Sequence, residues 1–453
     1  MTDCTTQALL FTSVDRRQLL ADFDGGDLTS DGGLPLLREV DRKIGLLDAL
    51  DAAIDDPRHP LFMRHDQRTL LAQRIYAIAA AYEDLNDHNT LRRDTLLQAL
   101  TERQLKPGQK EGDPLASPST LCRLENRLTR GDLVGLAKVF VEQFVASHEA
   151  PPEQVILDFD ATDDRVHGRQ EGRFFHGYYD EYCFLPLYVF CGDQLLAAYL
   201  RTADRDGARH SWAILKLLVE RFRQAWPNVR IIFRADSGFC RWKMMRWCDR
   251  HGVDYIIGLA KNPVLKRSAR RSRITARWAY RGTGLKQRLF EDLHYAAATW
   301  DRPRRVIAKA EHTDQGENPR FVVTSLAGEA QDLYDHLYCQ RGEAENRIKE
   351  QQLGLFADRT SCHDFQANQF RVMLSAAAYV LVETLRRVGL AGTELAQAQV
   401  DTIRLKVLKI GARVVRSVRR IVLHLASSYP LAELLHRVLR RLQDWRCAPA
   451  AGP

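Results

Sequence analysis

The chain has 453 residues, 45% of them hydrophobic and 27% charged, with a formal net charge of +8 and a pI near 9.0. That length exceeds one ordinary core and implies about two to four domains. No apolar run approaches the roughly 20 residues that span a bilayer as a helix, and no membrane partner is expected. Nine scattered cysteines without a CxxC pair support neither a zinc site nor a disulfide framework and read most simply as reduced thiols.

The start, MTDCTTQALLFTSVDRRQ, lacks a charged segment followed by a long apolar core, so no signal peptide is expected. The stretch LADFDGGDLTSDGG carries paired glycines and Asp-Gly turn signals and predicts a hairpin-like start. LLREVDRKIGLLDAL and LLAQRIYAIAAAYEDL place apolar residues at helical intervals. Ser117-Pro118-Ser119 before TLCRLENRL predicts a helix start capped by Ser117 or Ser119, and residues 106–114 read as an exposed loop. Residues 1–150 are therefore expected to form a mainly helical domain, with DNA binding as its expected role.

The register changes at residue 152. VILDFDA, YCFLPLYVF and QLLAAYLR predict three strands; the helix SWAILKLLVERFRQAW, the strand VRIIFRADS, the helix CRWKMMRWCDRHG and the strand VDYIIGLA follow. That order is the order of a ribonuclease H-like α/β core, in which the first and fourth strands are neighbours. Its first part is assigned to residues 151–260. Residues 261–331 read as a β-rich basic insertion, and residues 332–395 as the second part of the core. Residues 396–453 read as a small basic C-terminal region, in which 402–428 is assigned to a two-stranded hairpin on its Val and Ile content.

Asp160 and Asp236 each end an apolar run. Asp158 lies on the same strand face as Asp160 but further from the strand end, and Asp163 and Asp164 read as turn residues. Arg234 shares a strand face with a site there and has two open readings, a phosphate contact or a partner for a carboxylate. In YCQRGEAENRIKEQQ, Tyr338, Arg341 and Glu345 fall at i, i+3 and i+7 and share a helix face, whereas Glu343 is about 200° away from Glu345. That face offers a hydroxyl, a fork-shaped cation suited to phosphate and a carboxylate suited to a hard metal ion. Two strand-end carboxylates and one on a helix suit two divalent ions about 3.5–4 Å apart, an arrangement for phosphoryl transfer.

Two long stretches lack acids. Residues 262–290 carry nine basic residues, among them Arg267, Arg270, Arg271 and Arg273, and 402–428 carries seven more, from Arg404 to Arg420. Both read as contacts to DNA phosphates.

The set YEDLND, ATDDRVHGRQ, RADSGF and RGEAENRIKE resembles the insertion-sequence DDE transposases with a Tyr-Arg-Glu signature, within the insertion sequence 4 superfamily and its 1380 branch. The resemblance covers about residues 24–430. It implies a bacterial, cytoplasmic and nucleoid-associated enzyme that cleaves transposon ends and joins them to target DNA by cut and paste. Asp160, Asp236 and Glu345 would hold two Mg2+ ions, with Mn2+ as substitute. Tyr338 and Arg341 would grip the phosphate, and a homodimer would pair two terminal inverted repeats. Two alternatives stay open: a metal-dependent nuclease or resolvase on the same core, and a catalytically inert DNA-binding derivative. The superfamily pattern ends in a lysine where this chain has Gln352, and Lys349, one helical turn from Glu345, is the candidate replacement.

Overall fold

The computed structural model describes residues 9–105 and 108–446. Lys106 and Pro107 of the expected loop, the first eight residues and the last seven lie outside the described residues. The chain forms two compact units, one of residues 1–127 with 381–446 and one containing 128–380. Every acidic candidate lies in the second unit.

The second unit is built on a mixed sheet. Its strands are β1 (Gln154–Ala161), β2 (Leu187–Cys191), β3 (Gln194–Tyr199), β4 (Arg230–Ala235), β5 (Asp254–Leu259), β6 (Gln287–Tyr295), β7 (Arg304–Thr313) and β8 (Arg320–Thr324). They lie side by side in the order β6-β7-β8-β5-β4-β1-β2-β3. β4 runs parallel to both β1 and β5, whereas β2 and β3 join as antiparallel neighbours. The helices are α1 (Arg130–Ala146), α2 (Ser211–Ala225), α3 (Trp242–Arg250), α4 (Pro263–Ser268), α5 (Arg270–Thr283), α6 (Arg341–Lys349) and α7 (Phe365–Thr384).

Alternation along the strands decides which face each residue serves. Val155, Leu157 and Phe159 of β1, with Ile231, Phe233 and Ala235 of β4, enter one core with Leu215, Leu218 and Phe222 of α2 and Met244 and Met245 of α3. Burial of each large side chain stabilises this layer by about 1.5–3 kcal/mol. The intervening residues Ile232 and Ile256 belong to a second core with Ala330 and Tyr334. Asp158, Asp160 and Arg234 alternate with the first set and so serve that second face, under the helical stretch that carries Tyr338 to Glu345. α7 lies over the β2–β3 edge: Tyr379 packs on Phe190 with ring centroids 5.7 Å apart, and the Gln369 side chain bonds the backbone of Leu200 and Ala198.

Residues 261–331, read in sequence as a β-rich basic insertion, hold strands and two helices. Their strands β6, β7 and β8 extend the same sheet, with β8 antiparallel to β5. The basic run they contain is mostly helical, on α4 and α5, because Asn262 caps α4 and Gly284 ends α5 in the left-handed region. The helix α1, counted in sequence with the N-terminal domain, supplies Phe144 to the core of the sheet unit instead.

The other unit combines helices from both chain ends, so the C-terminal stretch is not free-standing. Lys43 reaches the carbonyls of Gln443 and Trp445, and the buried Arg74–Glu125 pair lies within the N-terminal helices. Ser117 is the N-cap residue of the helix Pro118–Glu125. The N-terminal hairpin is real, but its strands are Leu9–Val14 and Arg17–Ala21, so it turns before the glycine pairs. Gly32 and Gly33 serve a close approach: a Cβ on Gly33 would lie 1.9 Å from the Val407 carbonyl oxygen. Residues 402–428 are only partly the expected hairpin. Val400–Leu408 is helical, and the hairpin spans Ala412–Ser417 and Arg420–Leu425.

Candidate active site

Parallel pairing of β1 and β4 sets Arg234 opposite Asp158 and Ala235 opposite Phe159, which brings the next residues, Asp160 and Asp236, to one end of the sheet. Asp236 begins the turn Ser237–Phe239, and its carboxylate accepts a 2.8 Å bond from the Gly238 N–H. The Arg341 guanidinium bridges the other two acids: one Nη donates to Asp160 at 3.0 Å and the other pairs with Glu345 at 2.5 Å. The Glu345 side chain is 44% exposed, against 13% for Asp160.

The Asp160 carboxyl feels the charge of both other acids. Its pKa is raised to about 7, chiefly by burial, with Arg341 pulling it down and Asp236 and Glu345 adding to the rise. Among the described residues no three acidic, histidine or cysteine side chains already stand in metal-binding geometry. The donor set still fits a hard divalent ion. Its oxygens carry a surplus of negative charge, which one shared guanidinium offsets here.

Tyr338 ends a wide π-helical turn, Leu333–Tyr338, one residue short of the Cys339-Gln340 link to α6. Burial raises its hydroxyl pKa, with Arg341 opposing and Asp236 adding. The hydroxyl also sits against β5: a Cβ on Gly258 would meet it at 2.6 Å and the Ser237 nitrogen at 2.8 Å. Gly258 therefore lets the tyrosine and the Asp236 turn approach the strand together. Sequence reading passed it over, although a glycine inside an apolar strand is a signal of close approach.

Other candidates separate cleanly. Asp158, only 2% exposed at its side chain, is held by both ends of the Arg234 guanidinium, which also donates to the Leu337 carbonyl. Arg234 is thus a carboxylate partner. Asp164 is not an exposed turn residue: it is buried, accepts a bond from Thr360 Oγ1 at 2.9 Å, and burial pushes its carboxyl well above the usual range. Gln352 donates to the Asp163 carbonyl at 2.9 Å, and Lys349 and Glu343 are exposed.

Arg267, Arg270 and Arg271 are exposed on α4 and α5. Arg273 differs, because it donates to the Lys266 carbonyl and pairs with Glu317 at 2.5 Å. In the C-terminal run Arg404 is buried, Lys409 pairs with Asp31 and Arg416 bonds Gln98, so several of its charges hold the fold together.

The family model described as transposase DDE domain group 1 matches residues 11–447. The chain belongs to that family. The transposase is accordingly an enzyme of DNA cleavage and strand transfer. No curated protein matches it. Among solved structures, a cryo-EM structure of a piggyBac transposase synaptic complex with hairpin DNA is similar, with a TM-score of 0.45 and 10% identity. The match covers 84% of this chain and 80% of that one.

Proposed function

We propose that this transposase is the cut-and-paste enzyme of a bacterial insertion sequence, of the insertion sequence 4 superfamily and its 1380 branch. Asp160, Asp236 and Glu345 are its catalytic carboxylates. One observation carries the reading: Arg341 ties Asp160 to Glu345 while Asp160 feels the charge of Asp236, so three distant acids form one electrostatic group. The strand order β3-β2-β1-β4-β5, with β1 and β4 parallel, supports a ribonuclease H-like core.

These carboxylates would hold divalent ions, Mg2+ or Mn2+, which when bound supply a Lewis acid for the attacking and leaving oxygens. Arg341 offers two parallel N–H groups to a phosphate, and the Tyr338 hydroxyl lies beside Asp236 to donate a further bond. Arg234 keeps Asp158 neutralised, so the charge of the strand end rests on Asp160. The helical unit and the exposed arginines of α4 and α5 bind the terminal repeats and the target. A homodimer holds two ends, in the bacterial cytoplasm at the nucleoid.

The test is a strand-transfer assay with pre-cleaved transposon ends in Mg2+. Alanine at Asp160, Asp236 or Glu345 should abolish both cleavage and joining and leave end binding intact, because affinity comes from Lys and Arg. Cleavage without joining by the parent protein would instead identify a nuclease.

A further inference from the structure

A cavity of about 250 Å3 lies next along the chain from Asp236, lined by Asp206, Ala208, Arg209, Arg241, Trp242 and Lys243. Three of these residues are cationic and one is acidic, and the acid is already engaged by Arg241 at 2.8 Å. Lys243 and Arg246 flank the Trp242 ring at 5.8 and 5.9 Å.

Beneath this surface is a second source of positive charge. Arg201 is 4% exposed and donates to the carbonyls of Leu185, Gly207 and Arg209, so the loop that lines the cavity is folded around a guanidinium. No carboxylate pairs with it among the described residues, and its Nη2 has no hydrogen-bond partner. A buried guanidinium bonded only to carbonyls adds positive potential to the cavity, part of which the nearby Asp206 carboxylate offsets. Burial and then Arg209, Arg201 and Arg130 hold the neighbouring His210 imidazole below its usual range.

Two helices also begin here. α2 is 15 residues long and starts at Ser211; α3 is 9 residues long and starts at Trp242; no side chain caps either N-terminus. Free N–H groups at a helix start attract anions, and phosphate matches both the charge and the acceptors on offer.

We propose that this cavity is a second phosphate site of the transposase, which takes a backbone phosphate of the DNA strand leading away from the scissile bond. The proposal rests on the assignment of Asp236 to the catalytic centre, since that fixes the distance to the cut. Arg241 lies five positions after Asp236, a stretch of at most about 18 Å. Phosphates of one strand advance by about 3.4 Å along the duplex axis, so the phosphate held here lies within about five of the scissile one. Trp242 would pack on the adjoining sugar, and Arg209 and Lys243, uncommitted to any carboxylate among the described residues, would make the charge contacts.

The experiment uses the full chain without metal and a duplex of the transposon end in which single linkages near the cut are made uncharged as methylphosphonates. The double variant Arg209→Ala/Lys243→Ala should lower the slope of log K against log salt by about 1–2. It should also become insensitive to neutralisation of one linkage that weakens binding of the parent. Lys216→Ala, an exposed change further along α2, should keep the parent's response to every linkage. Strictly additive losses at all linkages, with an unchanged salt slope and an unchanged melting curve, would overturn the proposal. Binding is read apart from cleavage, so persistence of cleavage in Asp236→Ala would fault the catalytic assignment alone. A coupled linkage more than five phosphates from the cut would count against the site.

Discussion

Asp158 and Asp160 stand on one face of one strand, two residues apart, and each is met by an arginine. Arg234, from the neighbouring strand, clasps Asp158 with two nitrogens, and both side chains are under 10% exposed. Arg341, from a helix, gives Asp160 a single 3.0 Å contact and shares itself with Glu345, which is partly open to solvent. The first pair is locked between two parallel strands of the sheet; the second lies where those strands end. Neutralisation within the sheet is structural, whereas neutralisation by a shared, part-exposed cation can be exchanged for another cation or for a phosphate.

The largest effect expected from breaking this contrast is catalytic. Asp160→Ala should remove cleavage altogether with little loss of stability, as followed by gel assay of end cleavage beside urea unfolding. Asp158→Ala should do the reverse in cause, lowering stability by about 3–5 kcal/mol because it strands the buried Arg234. Equal loss of stability in both variants would erase the distinction.

Gly258→Ala should follow. Its methyl would collide with a backbone nitrogen as well as the Tyr338 hydroxyl, so the Asp236 turn must move. A shift of that kind costs about 100-fold in rate, read as single-turnover cleavage, and the melting temperature should change far less. Normal cleavage would mean the tyrosine can stand off the strand.

A smaller effect concerns pH. The Asp160 carboxyl is raised in the fold to about 7 from 3.8, so the fold favours its protonated form. Its contribution to stability is then present below pH 3.8 and lost as pH rises through about 7. In metal-free protein, Asp160→Asn should flatten the fall in stability over that window. A fall as steep as the parent's would assign the pH dependence to other groups.

The smallest changes are at the surface. Charge reversal at Arg267, Arg270 and Arg271 should flatten the salt dependence of DNA binding, whereas reversal at Arg273 should cost its Glu317 pair and chiefly affect folding. Lys349→Ala should lower cleavage severalfold if its exposed ammonium reaches a phosphate. Glu345 already pairs with Arg341, so activity equal to the parent's would leave Lys349 as a solvated surface charge.

The sequence alone determined much of the catalytic unit. Strand alternation in VILDFDA and IIFRADS and the helical spacing of Arg341 and Glu345, together with the motif resemblance, nominated the three acids and set Glu343 aside, because these periods are local properties of the chain. Local signals also separated Asp160 from Asp158 by nearness to the strand end. Only the tertiary structure decided what each charge faces. Asp158 found Arg234, Asp164 was buried against Thr360, and Arg273 was taken by Glu317. Ion pairing depends on neighbours brought together from remote positions, which no local period encodes. The same reason explains the strands beyond residue 284: their alternation was visible, but whether they began a new sheet or extended the old one rested on β8 pairing with β5, a contact between distant segments.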